Sequence, residues 1–133
     1  MSMEFTLGKE ERLKSNLSIQ ELLKQGKVVS SFPLKMYWDF SPDLRQKYPV
    51  RAAISVPKRK FRRAVDRNLM KRRLREAYRL NKYMLYETLD QRQQKIQLII
   101  LLLSDEFIPY AQLEKGMHAL LLKFVNKLLC ISE

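Results

Sequence analysis

The sequence predicts an α+β sandwich, with helices covering a small sheet in the order helix, two or three strands, long helix, strand, helix. Three patterns lead to it. Leu34 to Phe40 alternates apolar and polar residues with the period of a half-buried strand. Ile96 to Leu103 is an unbroken aliphatic run of strand length. Between about Ala64 and Leu89, apolar residues recur at spacings of three and four, the mark of an amphipathic helix. At 133 residues and 46% hydrophobic content, the chain has the size and the apolar matter for one domain, read as 1–133 with an irregular lead-in over 1–17.

Taken in order, Ser18-Ile19-Gln20-Glu21 reads as a capping box opening a short helix that Gly26 stops, with Ile19, Leu22 and Leu23 on its apolar face. Val28 and Val29 mark a short strand. In the next strand Leu34, Met36, Trp38 and Phe40 point one way, Trp38 into the core, and Lys35, Tyr37 and Asp39 point the other. Val50 to Val56 alternates again, with Val50, Ala52, Ile54 and Val56 inward; its other face is small apart from Arg51, and Pro57 ends it. Met70, Leu74, Ala77, Asn81 and Leu85 form the seam of the long helix, with Tyr78 and Met84 on its margins. Pro109 suits the first position of a last helix, whose stripe runs through Tyr110, Leu113, Met117, Leu120, Leu121, Phe124, Val125 and Leu128. Cys130 follows that register and is expected to be buried or terminal. By the general rule, the strand–long helix–strand connection is right-handed.

Composition narrows function. Lys and Arg number 26 against 14 Asp and Glu, a net charge of +12, which draws polyanions. One cysteine, Cys130, rules out a disulfide framework within the chain and suits a reducing, cytoplasmic setting. Cys130 and a lone His118 are too few for a structural zinc, and any His-based catalytic apparatus would need His118, which reads better as a surface or satisfied histidine. Three glycines leave no phosphate-cradling loop. The N-terminus has no signal-peptide core, and the longest apolar run is too short to span a bilayer.

The charge is concentrated. Lys58 to Arg79 holds 11 basic residues opposed only by Asp66 and Glu76, a net of +9 in 22 residues; the remaining 111 residues carry +3. Solubility does not require such concentration. Asn68, Arg72, Arg75 and Arg79 stand at i, i+4, i+7 and i+11, one stripe flanked by Lys71 and lying about 140° from the apolar seam at 100° per residue. Arginine predominates, and its planar fork pairs bidentately with phosphate and stacks on bases. Lys58 to Arg63 precede the helix, whose N-terminal N–H groups favour phosphate, so Arg62 and Arg63 mark a second phosphate site.

The run from Ser55 to Glu76, SVPKRKFRRAVDRNLMKRRLRE, resembles the signature of the bacterial ribonuclease P protein: a Lys-Arg pair, a short basic loop, Arg-Ala-Val, Arg-Asn, then Lys-Arg and a further Arg. Arg12-Leu13-Lys14, the Ile19 to Gly26 helix and the strand with Leu34, Met36 and Tyr37 are similar too, so the resemblance runs from Phe5 to Leu128. Two departures stand out. The family's second arginine of Arg-Asn-Arg is Leu69 here, with Arg72 and Arg73 as neighbours that compensate, and the first-helix aromatics are Ile19 and Leu23.

The resemblance implies a left-handed βαβ crossover, against the general rule. It implies a protein subunit that binds the catalytic RNA of ribonuclease P and the 5′ leader of precursor tRNA, with hydrolytic removal of the leader performed by the RNA and its Mg²⁺. No catalytic side chain and no metal or cofactor bound by this chain alone is expected, and the subunit is expected to be monomeric without RNA. Arg67, Asn68, Lys71, Arg72, Arg75 and Arg79 would bind the catalytic RNA, with Lys58, Arg59, Arg62 and Arg63 extending that surface. Tyr37, Lys35, Ile19 and Leu23 would meet the leader in a cleft between the first helix and the exposed sheet face. On sequence alone Tyr37 is equally an ordinary surface tyrosine, and Ile19 and Leu23 are equally plain core. The alternatives are a general structured-RNA-binding or ribosome-associated protein without a processing role, a self-contained nuclease using acids such as Asp105-Glu106, and an anionic-membrane binder.

Overall fold

A computed structural model describes residues 11–43, 45–58, 61–104 and 106–131. Its elements are α1 (Asn16–Gln25), β1 (Lys27–Ser31), β2 (Leu34–Phe40), β3 (Val50–Ser55), α2 (Ala64–Gln91), β4 (Ile96–Leu102) and α3 (Tyr110–Ile131). The strands form one mixed sheet in the order β1-β2-β4-β3. β1–β2 and β2–β4 are antiparallel, while β3 and β4, joined through α2, are parallel.

One sheet face carries the core. Leu34, Met36 and Trp38 of β2, Val50 and Ala52 of β3, and Ile96, Leu98 and Ile100 of β4 are buried against α2 and α3. The seam expected on α2 is buried in full at Met70, Leu74, Ala77, Asn81 and Leu85, and so is Tyr78. Tyr78 belongs to the core rather than its margin because both the sheet and α3 cover α2, widening the buried arc. Phe40 departs from its expected inward place: at the end of β2 it is 39% exposed, edge-on to Trp38 at 5.3 Å between centroids. On α3 every residue of the expected stripe except half-buried Tyr110 is buried. Gly116 is buried there, close enough to the β1–β2 turn that a Cβ would come within 3.1 Å of Pro33 Cδ. Cys130 is exposed on the last turn, so its terminal position and not its register decides.

α1 lies on the opposite sheet face. Its cap is Ser15 and not Ser18: the Ser15 side chain accepts from the Ser18 N–H at 3.3 Å, one turn earlier than the capping box predicts. Gly26 does stop the helix, but with extended backbone (φ −68°, ψ 155°), where its N–H donates to the Leu22 carbonyl. A Cβ at Gly26 would lie 2.5 Å from that oxygen, so glycine is required by close approach. Leu22 and Leu13 with Ile99 make a small second cluster, onto which Ile19, Tyr37, Ala53 and Leu101 pack.

The segment before α1 wraps the edge of β3. Arg12 bridges Ala52 in parallel, and the Leu13 N–H donates to the Ala52 carbonyl at 2.9 Å. Glu11 reaches α2, where its Oε1 accepts from Lys82 Nζ at 2.6 Å and from the Tyr86 hydroxyl at 2.5 Å. All three are buried. Burial first, then the Tyr78 and Glu11 oxygens, push the Tyr86 phenol well above its ordinary range, so it stays a donor.

Candidate nucleic-acid interface

The basic ridge stands on α2 because the helix is amphipathic in an unusual sense: one side is core, the other cationic. Asn68, Arg72 and Arg75 are exposed along one stripe, with Lys71 half-buried beside them. The rest of the expected set divides by what each side chain touches. Arg67 turns back, its Nη1 donating to the carbonyls of Phe61 at 2.9 Å and Arg62 at 2.8 Å. Phe61 is buried and edge-on to Phe107 at 5.3 Å. Arg67 and Phe61 together pin the loop before α2, so that Lys58, Arg62 and Arg63 face outward. Arg59 lies outside the described residues.

Arg79 is held by Glu76, with Nε 3.1 Å from Oε2 and Nη2 on Oε1. Those hydrogen bonds keep the Glu76 carboxyl below its ordinary range and raise Arg79. Arg73, expected with Arg72 as a neighbour compensating for Leu69, has an inward contact. It is half-buried and donates to the Ile108 carbonyl at 2.9 Å, tying α2 to the segment before α3. That leaves Arg72 as the exposed arginine nearest half-buried Leu69. Arg63 occupies the α2 N-cap without a side-chain cap bond, and the basic loop leads directly into this end of the helix. Asp66 in that turn is half-buried.

The second expected surface is on the sheet face under α1. Tyr37 and Ile19 each pack against the second cluster, and Lys35 Nζ sits 4.9 Å from the Tyr37 ring centroid. Leu23 points away from the core and is 43% exposed. Three of the four residues therefore lie on this side of the sheet, Lys35 against Tyr37 and Ile19 against the same cluster, and Leu23 lies on the outer side of α1. Of the two readings left open, Leu23 is not core, whereas Ile19 and Tyr37 are half-buried with faces still open.

Elsewhere, His118 is exposed, with Nδ1 3.1 Å from Asn81 Oδ1. Among the described residues, no three His, Cys, Asp or Glu side chains gather where a metal ion could sit, and no helix is long and apolar enough to cross a membrane.

Known proteins share this fold. The Ribonuclease P family model matches residues 7–125. The chain belongs to the ribonuclease P protein family. It is 35% identical over 122 residues to the ribonuclease P protein component of Porphyromonas gingivalis, covering 92% of this chain and 88% of that protein. The solved Staphylococcus aureus RNase P protein shares the fold at TM-score 0.65 and 22% identity, over 85% of this chain and 94% of that one. The Thermotoga maritima RNase P protein does so at TM-score 0.64 and 24% identity, over 85% and 96%. The shared fold agrees with the α+β sandwich, helix–strands–long helix–strand–helix, that the resemblance implies.

Sequence reading missed a cationic group on the α1 side of the sheet, formed by Arg12, Lys14, Arg45, Lys47 and Arg51 around one cavity. No run of basic residues announces it. The single hint was Arg51, the large residue on an otherwise small strand face.

Proposed function

We propose that this chain is the protein subunit of ribonuclease P, docking on the catalytic RNA through the α2 ridge and holding the 5′ leader of precursor tRNA under α1. The observation that carries the reading is the exposed stripe Asn68, Arg72 and Arg75 on a helix whose other side is wholly buried. A ridge so mounted presents its cations at fixed spacing, which lowers the ordering cost of binding a sugar–phosphate backbone. Lys58, Arg62 and Arg63, with Arg59 beside them in sequence, continue it past the helix N-terminus. Lys71 flanks the stripe, and Arg79 ends it, held by a carboxylate that RNA phosphate would displace. Arg67 supports the interface by holding the loop.

Under α1, Tyr37 offers a stacking face with a cation already over it, and Ile19 lines the wall. Leu23, on the outer side of α1, is left out of that wall. Cleavage of the leader is hydrolysis performed by the RNA with Mg²⁺, and this chain supplies no reacting group. Its role is to secure the substrate's single-stranded end and to offset RNA–RNA repulsion. A chain that works on precursor tRNA belongs in the cytoplasm.

The test is reconstitution with the candidate RNA of the same organism. Adding the protein should stimulate 5′ maturation of precursor tRNA at low Mg²⁺. Log K for the RNA should fall linearly with log salt, with a slope of about −0.7 to −0.9 per neutralised phosphate. Arg72→Ala and Arg75→Ala should each flatten that slope by about one unit. No stimulation with the cognate RNA, or unchanged slopes for both variants, overturns the reading.

A further inference from the structure

The cavity on the α1 side of the sheet has a volume of about 410 Å³, and five of its lining residues are cationic: Arg12, Lys14, Arg45, Lys47 and Arg51. They come from three stretches that the fold draws together. Arg12 and Lys14 flank the backbone link to Ala52. Arg51 is on the sheet face shared with Tyr37, its register partner being Gln97, which also lines the cavity. Arg45 and Lys47 come from the β2–β3 loop.

That loop is built rather than loose. Gln46 is buried, taking the Ser41 hydroxyl on Oε1 at 2.7 Å and donating through Nε2 to the carbonyls of Tyr48 at 2.9 Å and Ile96 at 3.3 Å. Asp43 accepts from the Arg45 N–H at 2.9 Å and from Arg51 Nη2 at 3.1 Å, fixing loop and strand to each other. The Arg45 amide first, and then Arg51, hold its carboxyl below the ordinary range. Ser15 and Ser18, the cap and third residue of α1, complete the lining, so the positive end of the helix opens on the same space. Like charges gathered around one cavity repel one another, and a bound anion lowers that repulsion.

The placement says which anion. Along the sheet face under α1, Lys35, Leu101 and Ser55 lie at the end nearest the basic loop; Tyr37, Ile99 and Ala53 come next; Asp39, Gln97 and Arg51 come last. From Ser55 to Arg51 is about 13 Å along β3. A single strand that enters beside Lys58 and crosses Tyr37 is thus aimed at the cavity.

We infer that this cavity is a phosphate subsite for the part of the leader farther from the cleavage point than the nucleotides over Tyr37. The inference rests on the leader reading given above and extends it. Lys14 and Arg45 are both exposed, so replacing them leaves the fold intact.

The experiment uses reconstituted holoenzyme and one precursor tRNA with no leader, a short leader and a long leader. The wild type should gain affinity at each extension. Lys14→Ala/Arg45→Ala should lose the second gain and keep the first, with the salt slope for the long-leader substrate flattened by about 0.7 for each phosphate no longer neutralised. Equal losses on all three substrates, or no loss on any, overturn the subsite. Tyr37→Ala, run alongside, separates the two ideas. If it removes the first gain while the double variant changes nothing, only the distal subsite falls. If neither variant alters leader dependence, the leader reading falls with it. Inorganic phosphate added as competitor should erase the second gain before the first; indifference to phosphate also counts against the subsite.

Discussion

Glu11→Ala should be among the most destabilising single changes in this protein, although Glu11 belongs to neither proposed RNA surface. The Glu11 and Lys82 side chains are 5% and 3% exposed and 2.6 Å apart. Removing one member of a buried pair leaves the other charge in low dielectric and costs about 3–5 kcal/mol. The Tyr86 hydroxyl loses its acceptor at the same time. A loss of about 4 kcal/mol is a large share of a total stability of about 5–15 kcal/mol. With a denaturant slope of about 2 kcal/mol per M, the urea midpoint should fall by about 2 M. Glu11→Leu/Lys82→Met/Tyr86→Phe removes the charges and the hydroxyl together, and should return most of the loss. Because Glu11 adjoins Arg12 and Leu13, which bridge β3, the single variant should also weaken binding of long-leader precursors before it unfolds. Urea unfolding followed by circular dichroism decides the matter. A Glu11→Ala shift below about 1 kcal/mol, typical of surface positions, would refute the buried clamp and the wrapping of β3 that depends on it.

Four further outcomes are expected. Leu74→Ala, at a fully buried seam position, should cost about 2–5 kcal/mol of stability, whereas Arg72→Ala on the same helix should change the melting temperature little and weaken RNA binding. Glu76→Gln should release Arg79, tightening RNA binding and steepening its salt dependence, as read by filter binding. Its own pH profile follows from the depressed carboxyl: the stability from Glu76 is complete above the unfolded value of 4.5 and lost as pH falls through the lower folded value. The melting difference between wild type and Glu76→Gln should therefore be flat at neutral pH and vanish on acidification below 4.5. Gly26→Ala should destabilise by about 1–3 kcal/mol, since the new methyl meets the Leu22 carbonyl and displaces the end of α1, and leader-dependent affinity should fall with it.

Strands β2 and β4 and helices α2 and α3 were legible because each buries one continuous face, and burial writes its period into the sequence. α1 was legible as a helix but not at its start. Ser15 and Ser18 are equally good cap residues, and what selects Ser15 is the bridge of Arg12 to Ala52, a contact across forty residues. The ridge showed itself because its cations are consecutive turns of one helix. What stayed hidden were the inward duties of some of them. Arg67 and Arg73 satisfy carbonyls at Phe61, Arg62 and Ile108, and no local pattern distinguishes an arginine that caps a carbonyl from one that faces solvent. The five cations of the cavity and the Glu11–Lys82 clamp were hidden for the same reason, since their partners are neighbours only through the topology.

The division within α2 bears on why the ridge can exist before any RNA arrives. Each like-charge pair three or four residues apart destabilises a helix by a few tenths of a kcal/mol, so Lys71, Arg72 and Arg75 oppose helix formation only modestly. Burying one leucine contributes about 1.5–3 kcal/mol, and Leu74, Leu85 and Leu89 are all fully buried on the other side. The seam outweighs the repulsion several-fold, and the helix keeps its shape with the repulsion unrelieved. Glu76 relieves it only at Arg79, the C-terminal end of the stripe. The part nearest the basic loop is therefore where a polyanion gains most. Docking should begin there, at Lys58, Arg62, Arg63 and Asn68, and Arg79 should join last, when phosphate takes the place of its carboxylate.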